Sequence, residues 1–140
     1  MNLFSFLVAF VLLVSASLVF SSDGETGEAG VTPVRLPDYV VWPFRADKFG
    51  DGVRVQAVTL NHGQGDAKPH ESSFTRIIAN SNATDFPVTP LRRGQPSSLH
   101  VVDFKCKKGN NVFITAIADF YGSVEESDET NNAVSTRVVC

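Results

Sequence analysis

From Asp38 onward the sequence never sustains a helical period. Its apolar residues come in short runs, each cut off by a cluster of turn-forming residues. The runs are Tyr39–Phe44, Val53–Leu60, Phe74–Ala79, Phe86–Thr89, Leu99–Cys106, Val112–Ala118 and Ala133–Val139. Between them stand FGDG, the Gly-rich NHGQG at 61–65, the polar NSNATD, RRGQP and KKGNN. Pro43 confines the first run to a sheet edge or a strand end, because proline has no N–H to give a ladder. Seven short strands punctuated in this way are the mark of an all-β chain. A lone meander cannot bury these apolar faces, so two packed antiparallel sheets are expected, forming a seven-stranded sandwich.

The first 22 residues stand apart. Leu3 to Phe20 is almost purely apolar, no charged side chain precedes Asp23, and Ser15, Ser17, Ser21 and Ser22 offer small residues for cleavage. Residues 1–22 are read as a secretory signal peptide; the alternative is a retained membrane anchor, since roughly 18 apolar residues suffice to cross a bilayer. Both readings export the remainder, so the expected localisation is secreted or extracellular. Residues 23–37 (DGETGEAGVTPVRLP) are rich in Gly, Pro and acid and read as a flexible leader. The domain is expected at 38–140, long enough to bury a core. The formal net charge of −3 is too mild to point to nucleic acid.

Strand phase decides which side chains share a face. Val102, Phe104 and Cys106 fall together, and so do Val134, Thr136, Val138 and Cys140. In an antiparallel sandwich the ends of these two strands reach the same pole. In an exported chain the two cysteines, Cys106 and Cys140, are therefore expected to form a disulfide between the sheets. Phe113, Thr115 and Ile117 lie opposite Val112, Ile114, Ala116 and Ala118, so one of these sets faces outward, where it is covered or meets a partner. Asn82-Ala83-Thr84 is an N-glycosylation acceptor triplet and implies an exposed loop.

The stretch from Ala118 to Asn132 (ADFYGSVEESDETNN) narrows the reading. An apolar strand at 112–118, then Asp119, then Glu126, Glu129, Asn131 and Asn132 in an E-x-x-E-x-N-N arrangement, resembles the CARDB family, the cell-adhesion-related domain found in bacteria. Asn61 with Gly63 is similar to that family's N-x-G turn, and Leu91 with Gly94 to its L-x-x-G turn. The resemblance spans about Asp38 to Val139. It implies an immunoglobulin-like sandwich in an extracellular setting, with no catalytic residues to carry over.

Chemistry has little to stand on. An EF-hand loop counted from Asp128 requires Gly at position 6 and Glu at position 12, where this chain has Ala133 and Val139. Clustered carboxylates at Asp119, Glu126, Asp128 and Glu129 keep an irregular Ca²⁺ site open. The competing reading is a turn in which short acidic and amide side chains accept backbone N–H groups, with Asn131 and Asn132 taking unusual dihedrals. His62, His70 and His100 lack zinc-site spacing, and His100 falls in phase with Val102 and Phe104. No G-x-S-x-G, G-x-x-x-x-G-K or H-E-x-x-H motif occurs, so no enzyme and no cofactor is expected. The expected function is an extracellular binding or adhesion-type module for a protein or glycan partner. The alternatives are a Ca²⁺-dependent binder and a secreted inhibitor or effector that presents residues 61–73 as an extended loop.

Overall fold

The structure, a computed structural model, describes residue 30 and residues 32–140. The expected signal peptide and most of the expected leader lie outside the described residues. Seven strands follow in order: β1 (Tyr39–Phe49), β2 (Gly52–Asn61), β3 (Ser73–Ala79), β4 (Asn82–Val88), β5 (His100–Lys105), β6 (Asn111–Ile117) and β7 (Ala133–Val139). All pairings are antiparallel. They build a three-stranded sheet in the order β1-β2-β5 and a four-stranded sheet in the order β4-β3-β6-β7. This is the seven-stranded sandwich that the apolar runs predict, of the immunoglobulin-like kind that the resemblance implies.

Alternation fills the interior. Val53, Val55 and Ala57 of β2 face Ile77 of β3 and Ile114 and Ala116 of β6 across the sandwich, all of them fully buried. Outward neighbours on the same strands are partly or fully exposed. Phe113 is 63% exposed, so the Val112 set is the core face and the Phe113 set looks outward. The buried hydroxyls of Thr59 (β2) and Thr75 (β3) bond to each other across the sheets. Two polar atoms thereby satisfy one another in the core, as burial demands.

Two strands differ from the sequence reading. β1 runs five residues beyond Phe44, although it contains Pro43. It is an edge strand, its Trp42–Pro43 peptide is cis, and pairing with β2 shifts register between Val41 and Phe44. The missing proline N–H thus falls where the ladder is already interrupted. β4 begins at Asn82 rather than Phe86. Asn80 takes φ 52°, which closes a two-residue turn and sets Ala79 opposite Asn82. The polar residues Asn82, Thr84 and Asp85 hide this strand from an apolar count, and the glycosylation triplet opens it instead of lying in a loop. Asn82 is nonetheless exposed.

The domain also begins earlier than Asp38. Pro37 is buried, and Leu36 O accepts the amides of Gln64 and Gly65 at 3.1 and 2.9 Å. The end of the leader is therefore held rather than free.

Cys106, just after β5, and Cys140, just after β7, stand at disulfide distance with Cα atoms 6.2 Å apart. They belong to different sheets, so the bond is a cross-sheet staple closing 34 residues of sequence separation. Such a loop contributes roughly 3–4 kcal/mol through the unfolded chain. Replacing both cysteines by serine is expected to lower unfolding free energy by about that amount in denaturant titration, and peptide mapping without reductant is expected to recover the two cysteine peptides joined.

Candidate functional site

The family-like positions converge on one pole of the sandwich. Asn61 ends β2 fully buried, and its carboxamide uses its whole capacity. Its Oδ1 accepts the amides of Asp38 and Gly63 at 3.1 and 3.0 Å, and its Nδ2 donates to the carbonyls of Gly65 and Leu91 at 2.9 and 3.0 Å. Leu91 N–H donates in turn to the hydroxyl of Tyr39 at 2.7 Å, and Gly94, at φ 71°, donates to Asn61 O. Gly63 and Gly65 are required by contact. A Cβ on either would stand 2.0–2.6 Å from backbone atoms of residues 35–38.

The acidic connection completes this pole. Glu126 is 6% exposed and accepts the Tyr39 amide at 2.5 Å. Glu129 accepts the amide of Glu126, Asp128 that of Thr130, and Asp119 those of Ser123 and Val124. Ser127 donates to Pro37 O. EESDETNN is thus a clasp that clamps the incoming chain onto the last turn. Asn131 and Asn132 act through their side chains, not through unusual dihedrals: Asn131 donates to Asp38 and Asn132 to Glu126. The left-handed residues in this connection are Asp119, at φ 40°, and Gly122, at φ 62°.

Burial pushes the Glu126 carboxyl up to about 8, with Asp119 and Glu129 nearby adding to the rise. Burial likewise raises Asp119. A carboxyl proton on Glu126 has a ready acceptor. Asn132 Oδ1 is buried without a partner and faces Glu126 when the amide turns by half. Of the four carboxylates weighed for calcium, each is engaged by N–H donors, and among the described residues no three His, Cys, Asp or Glu side chains converge to hold a metal ion. This geometry fits a capped turn rather than a cation centre.

Residues 61–73 do not project. His62 N–H donates to Asp38 O, Ala67 N–H to Leu91 O, and Glu71, buried, accepts the Lys68 amide while pairing with its ammonium at 3.0 Å. Those contacts hold the Glu71 carboxyl below its usual range. The extended inhibitory loop is therefore not present. His62 and His70 are exposed, whereas His100 is buried, stacks on Phe86 with centroids 4.9 Å apart and lies 3.2 Å from Ser97 Oγ. Burial lowers its basicity. The three histidines do not meet.

Two outward surfaces escaped the sequence reading. On the four-stranded sheet, Arg76 pairs with Asp85, bonds Tyr121 Oη, and lies 3.8 Å above the Phe120 ring. This ties the Phe120–Tyr121 turn down onto the sheet. The Arg76–Asp85 register across β3 and β4 would have signalled it had β4 been read from Asn82. On the three-stranded sheet the outward face divides in two. One half is polar, with Arg54 forked onto Asp103 at 2.7 and 2.8 Å and stacked on Phe49. The other half is apolar: Val40 beside Leu60, then Trp42 (67% exposed), Leu99 (54%) and Val101 (43%). Val40, Trp42, Leu60 and His62 line a cleft of about 480 Å³ there. Trp42 points outward at the register shift in β1.

These features define a seven-stranded immunoglobulin-like sandwich whose buried polar groups serve its architecture. The CARDB family model matches residues 36–136, and the chain belongs to the CARDB family. Among solved structures, the CARDB domain of a Pyrococcus furiosus protein in complex with di-metal ions is similar at a TM-score of 0.63 and 20% identity. The match covers 77% of this chain and 96% of that one. Comparison with curated proteins returns no significant match.

Glu126 yields a signed prediction. Its folded value of about 8 lies above the ordinary 4.5, so its contribution to stability is full below pH 4.5 and is lost as pH rises towards 8. Glu126→Gln keeps an acceptor for Tyr39 N–H and cannot ionise. Relative to the parent, this variant is expected to gain a few kcal/mol between pH 4.5 and 8, at roughly 1.4 kcal/mol per pH unit, measured by urea titration across that range. A constant difference at every pH would refute it.

Proposed function

We propose that this domain is an extracellular, non-catalytic binding module that recognises a protein partner through the apolar half of its three-stranded sheet. The observation that carries this reading is Trp42, two-thirds exposed beside Val40 and Leu60 and on the same outward sheet face as Leu99 and Val101. Large aromatic side chains left in water within an apolar patch are the usual anchors of protein interfaces. The aliphatic surroundings favour a protein over a glycan, whose hydroxyls require flanking polar groups. Apart from Asn132 Oδ1, the polar groups described at the Asn61–Glu126 pole are occupied internally, which leaves them little to offer a ligand.

The immobilised domain is expected to retain from extracellular extract a set of proteins that Phe113→Ala also retains and that Trp42→Ala loses. Truncating an anchor of this kind weakens binding by roughly thirtyfold or more. Identical retention by Trp42→Ala would discard the face. The extracellular setting is tested separately. After passage through a eukaryotic secretory pathway, the protein is expected to carry an N-glycan that glycosidase removes and that Asn82→Gln lacks.

A calcium-dependent reading draws on the metal-bound relative, and the N–H-saturated carboxylates of this chain weigh against it. Added Ca²⁺ is expected to leave the melting temperature unchanged.

A further inference from the structure

The described domain is neutral overall but unevenly charged. All twelve Lys and Arg residues lie from Arg35 onward, while three of the fifteen carboxylates, Asp23, Glu25 and Glu28, precede it. Twelve of each sign remain, and they segregate. At the pole where β1 turns into β2 and β5 into β6, Lys48, Lys105, Lys107 and Lys108 are all exposed. None of the four stands in an ion pair among the described residues. Nearby acids are mostly engaged elsewhere: Asp47 with Arg45, and Asp103 with Arg54. Asp51 alone shares the cleft of about 180 Å³ that Lys48 and Lys108 line with the two cysteines.

The backbone carrying these lysines is tied together. Cys106 joins Cys140, Cys106 N–H donates to Asp51 O, Asn110 N–H to Lys107 O and Cys140 N–H to Asn110 O. Four point charges on flexible stems, held on a fixed frame, suit a ligand that presents several anionic groups in a row rather than one compact ion. The aromatic ring beside them, Phe49, is half-exposed but carries the Arg54 guanidinium 3.5 Å over its face, so that face is not open as a stacking platform for bases. The opposite pole is a poor complement, because Arg35, Lys68, Arg92 and Arg93 are interspersed with its exposed carboxylates. A second copy of the chain is therefore disfavoured as the occupant.

We propose that the lysine pole around the Cys106–Cys140 pair is a docking surface for a sulfated glycan. It is separate from the Trp42 face and does not depend on it.

Titration of the unglycosylated protein with a size-defined heparin oligosaccharide tests this. Binding is expected to weaken steeply with added salt, as release of counterions from a polyanion requires. The variant K105A/K107A/K108A is expected to bind roughly a hundredfold more weakly, at roughly fivefold for each lysine near an anionic surface. An unchanged melting temperature for that variant secures the comparison, and K105R/K107R/K108R is expected to restore binding if the triple alanine variant folds poorly. Trp42→Ala is expected to bind heparin as the parent does, so the two surfaces fail or stand independently. Equal loss in R92A/R93A, affinity for a DNA duplex matching that for heparin, or retained binding by the triple alanine variant would each overturn the proposal. Salt-sensitive self-association that heparin does not displace would do the same.

Discussion

The fold hangs on the side chain of Asn61. A buried carboxamide offers two donors and two acceptor lone pairs, and leaving any of them empty in the interior costs on the order of 1–3 kcal/mol. Here all are used, and the four partners lie on three segments: the incoming chain at Asp38, the following turn at Gly63 and Gly65, and the later turn at Leu91. Its backbone extends the same junction through Gln95 and Gly94. One residue therefore fixes how three loops meet at the end of β2. Glu126 performs the matching task from the other sheet by taking the Tyr39 amide. Between them they leave the first strand a single way to enter the sandwich.

That arrangement explains why the family-like positions are polar and glycine residues rather than core hydrophobics. Alternation alone specifies which faces of the strands meet, and many sequences satisfy it. The Asn, Gly, Glu and Asn-Asn positions specify the crossings between strands, where backbone groups would otherwise be buried without partners. Gly63 and Gly65 belong to the same set, because the incoming chain passes too close for any Cβ.

The strands with strong alternation, β2, β5, β6 and β7, were legible in the sequence, as was the shared pole of Cys106 and Cys140. What stayed hidden did so for physical reasons. β4 is polar on both faces at its start, because Asn82 and Ala83 sit at an exposed hairpin. β1 continues past a proline because the edge of the sheet tolerates the missing donor. Carboxylates in EESDETNN look the same in sequence whether they bind a cation or cap backbone amides, and only the positions of the amides decide. The outward position of Trp42 stayed hidden for a related reason: a one-residue shift in register reverses which side of the sheet a side chain occupies, and that shift occurs beside it.

A division of labour follows from where polar groups are satisfied. At the Asn61–Glu126 pole, donors and acceptors are spent on one another, and burial raises Glu126 so that it favours its neutral form near neutral pH. The interior is filled by aliphatic side chains and a matched pair of threonines. Free energy available to a partner must then come from the two outward faces and the lysine pole, where apolar area and unpaired charge still meet water. In this sandwich the groups that hold the fold are distinct from those left to act on another molecule.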